Sequence, residues 1–121
     1  MPKTVLAVDD SITMRRMLQQ CLAGAGFEVV VAEDGSDGIN KLRENNPDIV
    51  ITDINMPIMD GFEFIETVRG DEFNARLPIL VLTTESDHAK KTRAREAGAT
   101  GWIVKPFDPD KLIDAVNRVM P

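Results

Sequence analysis

The sequence predicts an α/β fold, a single doubly wound five-stranded parallel sheet with helices on both faces. Short apolar runs at 5–8, 49–52, 79–82 and 102–104 are bounded by polar and turn residues, the mark of strands buried on both faces. Stretches with helical spacing alternate with these runs throughout, making five βα units. No linker, repeat or low-complexity segment interrupts the pattern, so residues 1–121 read as one domain.

Residues 3–9 form the first strand. A helix over 11–25 places Met14, Leu18, Cys21, Leu22 and Ala25 on one face, and Gly26 closes it. Residues 27–32 form a second strand, in which Phe27, Val29 and Val31 alternate as on a sheet edge. A helix over 36–45 turns Ile39 and Leu42 inward and stops before Pro47. The third strand, 48–53, leads through a loop to a helix over 61–69 that uses Phe62, Ile65 and Val68. Pro78 opens the fourth strand, which runs to Thr83. The next helix, 86–97, is mostly polar, its apolar residues being mainly Ala89, Ala94 and Ala97, and it ends at Gly98. Residues 102–105 are the last strand. The last helix, 109–120, directs Leu112, Val116 and Val119 inward, with Asp108 as N-cap and Pro109 at the first helical position.

Composition excludes several classes. One cysteine, Cys21, cannot build a disulfide framework and fits a cytoplasmic protein. No apolar stretch approaches the roughly 18–20 residues needed to span a bilayer, so no membrane insertion is expected. Met1, Pro2 and Lys3 lead straight into a strand rather than a signal sequence. A formal charge of -6 argues against general nucleic-acid binding, which requires a basic footprint.

The chemistry sits where the apolar runs end. In an open parallel sheet, ligands bind outside the carboxyl ends of the strands. The first run ends on Asp9 and Asp10, the second on Asp53, the third on Thr83 and Thr84, and the fourth on Lys105 and Pro106. Asp9 and Asp10 at a strand-to-helix turn also suit a plain N-cap. Three carboxylates about 4–5 Å apart repel by roughly 3–4 kcal/mol per pair at an effective dielectric of 20, so such a cluster implies a shared proton or cation. Magnesium, a hard ion taking carboxylates, a carbonyl, waters and phosphate oxygens, suits it. Zinc does not, because Cys21 and His88 are too few and badly placed for a nitrogen and sulfur shell. A carboxylate is also a nucleophile toward phosphorus that needs no general base, and phosphoryl transfer asks mainly for alignment and charge neutralisation. Lys105 offers a point charge and Thr83 a hydroxyl for two phosphoryl oxygens.

At these residues the chain resembles the receiver domain of two-component response regulators, over residues 3–120. The resemblance rests on Val8-Asp9-Asp10-Ser11, on D-I-N-M-P-I-M-D-G at 53–61, on Thr83-Thr84 and on Lys105-Pro106-Phe107, all in order. It implies a flavodoxin-like sheet of strand order 2-1-3-4-5 and phosphorylation of Asp53 by a histidine kinase. It implies magnesium held by Asp10 and Asp53, by Asp9 through water and by the Asn55 backbone carbonyl. A cis peptide between Lys105 and Pro106 and a switch built on Thr83 belong to the same expectation. The D-D-S-I-T-M-R-R run at 9–16, the G-W-I-V-K-P-F run at 101–107 and the lack of an output domain are most similar to single-domain chemotaxis regulators. Such a regulator is a monomeric signalling switch rather than an enzyme with a separate substrate. Its phospho-dependent target, a flagellar motor switch among the candidates, is expected on the face made by 86–98, 102–104 and 109–120. Trp102 departs from the family, standing where receivers usually carry a switch tyrosine or phenylalanine.

Other readings compete at these positions. A phospho-aspartate hydrolase of the haloacid-dehalogenase type shares the Asp, Thr, Lys and magnesium set, but takes its nucleophile from D-x-D after the first strand. A flavodoxin-like cofactor carrier needs a Ser/Thr/Gly phosphate loop there instead, and a receiver fragment of a larger transcription factor differs only beyond Pro121. Cys21 reads as a core residue, His88 as a solvated one, and Met56 and Met59 as packing under their loop. Lys90, Lys91, Arg93 and Arg95 form a basic cluster on an acidic chain, a solvated face that also suits an acidic partner.

Overall fold

The computed structural model describes residues 2–120. The two ends of the 1–121 domain, Met1 with its reading as the start and Pro121, lie outside the described residues. The elements in chain order are β1 (Thr4–Val8), α1 (Ile12–Gly24), β2 (Glu28–Ala32), α2 (Gly35–Asn45), β3 (Ile49–Thr52), α3 (Gly61–Gly70), a 3-10 turn (Glu72–Asn74), β4 (Ile79–Thr83), α4 (His88–Ala97), β5 (Gly101–Val104) and α5 (Pro109–Val119). All strand pairs are parallel, in the order β2-β1-β3-β4-β5. The fold class and strand order are those expected.

Alternation along the strands builds two cores. Leu6, Val8, Val50, Ile79 and Val81 face α2, α3 and α4, where they meet Ile39, Phe64, Ile65 and Ala94. Val5, Ala7, Ile49, Ile51, Leu80 and Leu82 face α1 and α5, where they meet Leu18, Leu22, Leu112 and Val116. Strands β1, β3 and β4 are buried almost throughout, whereas β2 and β5 are half-buried edges. The central strands are therefore continuous apolar runs, as parallel strands covered on both faces must be.

The elements depart from the expected bounds in defined ways. The polar residues Lys3, Asp9, Asp48, Asp53 and Lys105 fall just outside their strands. Helix α4 begins at His88 and not at 86, since Asp87 caps it by accepting from Ala89 N–H. Ser11, Asp34, Asp60 and Asp108 cap the other four helices. Ala25 is exposed at the C-terminal end of α1 and Ala89 is exposed on α4, so neither belongs to a buried stripe. Phe64, absent from the expected stripe of α3, is fully buried. Among the described residues, no helix is long and apolar enough to cross a membrane.

Candidate functional site

The register brings the site together. Val8 pairs with Thr52, so Asp9 and Asp53 leave the sheet side by side, and Asp53 N–H donates to the Val8 carbonyl at 3.0 Å. Thr83 pairs with Val104, so Lys105 follows at the same level, its N–H donating to the Thr83 carbonyl at 2.7 Å. The Lys105–Pro106 peptide is cis. Asp9, Asp53 and Thr83 are buried, while Asp10 is exposed at the mouth of the crevice.

Lys105 joins the two buried carboxylates. Its Nζ donates to Asp9 Oδ2 at 2.7 Å and to Asp53 Oδ2 at 2.8 Å. Backbone amides take the other oxygens: Ser11 N–H donates to Asp9 Oδ1 at 2.9 Å and Ile54 N–H to Asp53 Oδ1 at 2.6 Å. Burial pushes the Asp9 carboxyl above its ordinary range, against the lowering effect of Lys105 and the Ser11 amide. Burial also opposes charge on Lys105, but hydrogen bonds to Asp53 and Asp9 outweigh it and hold the ammonium above the usual lysine range. The plain N-cap reading of Asp9 and Asp10 does not hold, because Ser11 Oγ caps α1 by accepting from Met14 N–H at 3.2 Å.

Asp9, Asp10 and Asp53 each offer an oxygen within 4.8 Å of the other two. Three hard oxygen donors with no sulfur or imidazole among them fit a magnesium-type cation. Two of the three already neutralise Lys105, so a cation there shares its ligands with a lysine.

The surrounding loops contribute groups that motif reading missed. Glu85, two residues past Thr83, accepts from the Asn55 side-chain amide at 3.1 Å and from Lys90 Nζ at 3.0 Å. Lys90 first, and Asn55 second, hold the Glu85 carboxyl below its ordinary range. Arg15 Nη1 donates to the Asp9 carbonyl at 2.7 Å and so fixes the first turn of α1 against the site. Position was the only available signal: Glu85 lies two residues past Thr83, and Arg15 falls within the run at 9–16.

The remaining candidates lie apart from the carboxylates. Trp102 is half-buried on β5 and lines a cavity of about 50 Å³ beneath α4, with Lys91, Ala94, Arg95 and Ala99. Within the basic cluster, the Arg93 guanidinium stacks 4.0 Å from the Phe62 ring centroid. His88 is exposed at the start of α4, Cys21 is half-buried between α1 and α5, and Met56 and Met59 pack beneath the loop after Asp53. No domain is inserted between β1 and α1, where a hydrolase of the haloacid-dehalogenase type follows its nucleophile with D-x-D; only Asp9, Asp10 and Ser11 link the two elements.

Comparison with known proteins agrees with this geometry. Residues 5–117 match the family model described as the response regulator receiver domain. The chain is 40% identical over 120 residues to the chemotaxis protein CheY of Thermotoga maritima, covering 98% of each chain. It is 36% identical over 121 residues to CheY of Bacillus subtilis, covering 99% of each. Among solved structures, chemotaxis protein CheY4 of Vibrio cholerae superposes with a TM-score of 0.95 at 45% identity, over 99% of this chain and 100% of that one. With the family model spanning nearly all of β1 to α5, the chain belongs to the response regulator receiver family.

Proposed function

We propose that this receiver is a phosphorylation-driven signalling switch of a chemotaxis-type two-component pathway, with Asp53 as the acceptor. The observation that supports this most is the joining of Asp9 and Asp53, from separate strands, by the one Lys105 ammonium. An Asp53 oxygen attacks phosphorus while the bond from phosphorus to the donor breaks. The donor, a histidine imidazole of a kinase or the acetate of acetyl phosphate, leaves with the electron pair. Lys105 meets the charge arriving on one phosphoryl oxygen, and the Thr83 hydroxyl answers another. Asp9, Asp10, Asp53 and the Asn55 carbonyl would hold magnesium, whose charge neutralises the transferring phosphoryl group. The chain acts on no separate substrate.

The output is a change in affinity for a protein target on the face of α4, β5 and α5, a flagellar motor switch being the target that suits a chemotaxis regulator. Thr83 and Trp102 are the switch residues of this reading. Incubation with acetyl phosphate and magnesium is expected to add one hydroxylamine-sensitive phosphoryl group, absent from Asp53→Asn and prevented by a chelator. Labelling that survives in Asp53→Asn, or in the presence of chelator, overturns the assignment.

A further inference from the structure

Asp10 is the least constrained of the three clustered carboxylates. Asp9 accepts from Ser11 N–H and Lys105 Nζ, and Asp53 accepts from Ile54 N–H, from Asn55 N–H at 3.4 Å and from Lys105 Nζ. The Asp10 carboxylate is exposed and, among the described residues, accepts no hydrogen bond and enters no ion pair. Its direction is therefore set by its backbone.

That backbone is held from one side. The peptide plane joining Asp9 to Asp10 carries the Asp9 carbonyl and the Asp10 N–H, so fixing the carbonyl fixes the Cα of Asp10 with it. Arg15 Nη1 donates to that carbonyl at 2.7 Å, a short, charge-assisted bond. No other hydrogen bond reaches this peptide among the described residues. The arginine itself stands on a firm base, since its N–H donates to the Ser11 carbonyl at 3.0 Å and Ser11 caps the helix. Arg15 is half-buried and forms no ion pair among the described residues, so the Asp9 carbonyl is the one partner of its guanidinium.

We propose that Arg15 is a positioning residue for the cation: by holding the peptide between Asp9 and Asp10, it aims the Asp10 carboxylate at the point where the Asp9 and Asp53 oxygens converge. The inference rests on the magnesium reading given above. Magnesium demands near-ideal octahedral geometry, so a ligand left free to swing weakens its binding. Groups that orient a metal ligand typically change affinity by about 10–100-fold. Charge alone predicts the opposite sign. A guanidinium beside the cluster repels a divalent cation, so removing it as a mere charge would tighten binding.

Manganese(II) serves as the probe, because it takes the same hard oxygen donors and its free concentration is read directly by EPR. Arg15→Met and Arg15→Ala both remove the donor while keeping a strong helix former in α1. Each is expected to weaken manganese binding about tenfold. In an Asp10→Asn background the same two changes are expected to shift binding by less than about twofold, because the carboxylate they aim is gone, whereas a general loosening of α1 would carry over undiminished. Unchanged or tighter binding in both single variants overturns the inference, as does an equal loss in the Asp10→Asn background. A wild-type chain that binds no manganese removes the cation reading instead, and the positioning role with it.

Discussion

Helices α3 and α4 lie side by side on one face of the sheet, and each follows a strand that delivers a residue to the crevice. Helix α3 buries Gly61, Phe62, Phe64, Ile65 and Val68, whereas α4 buries only Ala94. The loop carrying Asp53 is thus pinned from below by a packed helix. A Cβ on Gly61 would fall 2.3 Å from the Asp53 carbonyl, so helix and acceptor loop touch without spare room. Helix α4 is held at its perimeter instead, by the Glu85–Lys90 pair near one end, by Arg93 over Phe62, and by Arg69 at the other end. The ion pair and the cation–π contact are individually weak. The side carrying Asp53 resists motion while α4 yields at little cost, a division that suits the proposed switch.

The largest effect that would break this comparison is in the core. Phe64→Ala is expected to cost about 3–5 kcal/mol in denaturant unfolding, whereas Ala94→Gly, a truncation at the buried position of α4, should cost about 1 kcal/mol. Equal losses would mean that α4 is packed as tightly as α3. Amide exchange should separate the helices too, with α4 protons exchanging through openings several kcal/mol cheaper than those of α3.

Within the site, Lys105→Met is expected to raise magnesium affinity at least about tenfold in a calorimetric titration, because it removes a cation that competes for Asp9 and Asp53. Its stability signature follows from the direction of the shift. The Lys105 pKa lies above its unfolded value, so its contribution is complete below about pH 10.5 and is lost as pH rises through the higher folded value. Asp9 works in the opposite sense. Its folded pKa is raised, so its ionised form costs stability at neutral pH, and that cost is relieved as pH falls toward the unfolded value near 3.8. Asp9→Asn should therefore show its greatest relative stability at neutral pH and lose that advantage in acid, as read by thermal unfolding across pH. The smallest expected effect is Arg93→Ala, which gives up a cation–π contact worth about 0.5–1 kcal/mol at an exposed site. A loss several times larger would show that α4 is anchored there.

Much of this was legible in the sequence, for physical reasons that differ by element. Strands β1, β3 and β4 were readable because burial on both faces leaves no alternative to unbroken apolar runs. Asp9, Asp53 and Lys105 followed, since chain ends of parallel strands converge. Phe64 was not readable from an i, i+3 stripe of Phe62, Ile65 and Val68. Helix α3 is enclosed on more than one side, and a Cβ on Gly38 of α2 would fall 2.9 Å from the Phe64 ring. The start of α4 was ambiguous because Ser86 and Asp87 are both competent caps, and only the folded loop selects Asp87. Glu85 gave no signal beyond its place after Thr83, as its partners Asn55 and Lys90 meet it through loops whose courses the sequence leaves open.

The Arg69 guanidinium has one further consequence. Its Nε and Nη2 both donate to the Gly98 carbonyl, at 3.0 and 2.8 Å, and Nη1 donates to the Asn74 carbonyl at 2.9 Å. Gly98 adopts a φ of 117°, and a Cβ there would fall 2.7 Å from the Arg69 side chain. The C-terminal end of α4 is thereby bolted to α3 while its N-terminal end hangs on one exposed ion pair, and the helix becomes a lever with its fulcrum at Gly98. Ten residues make an arm of about 15 Å, so a tilt of about 10° carries the His88 end through roughly 2.5 Å while the Ala97 end hardly moves. Spin labels at 88 and 96 should report that gradient on addition of beryllofluoride and magnesium, and Arg69→Ala should flatten it by letting the whole rod slide.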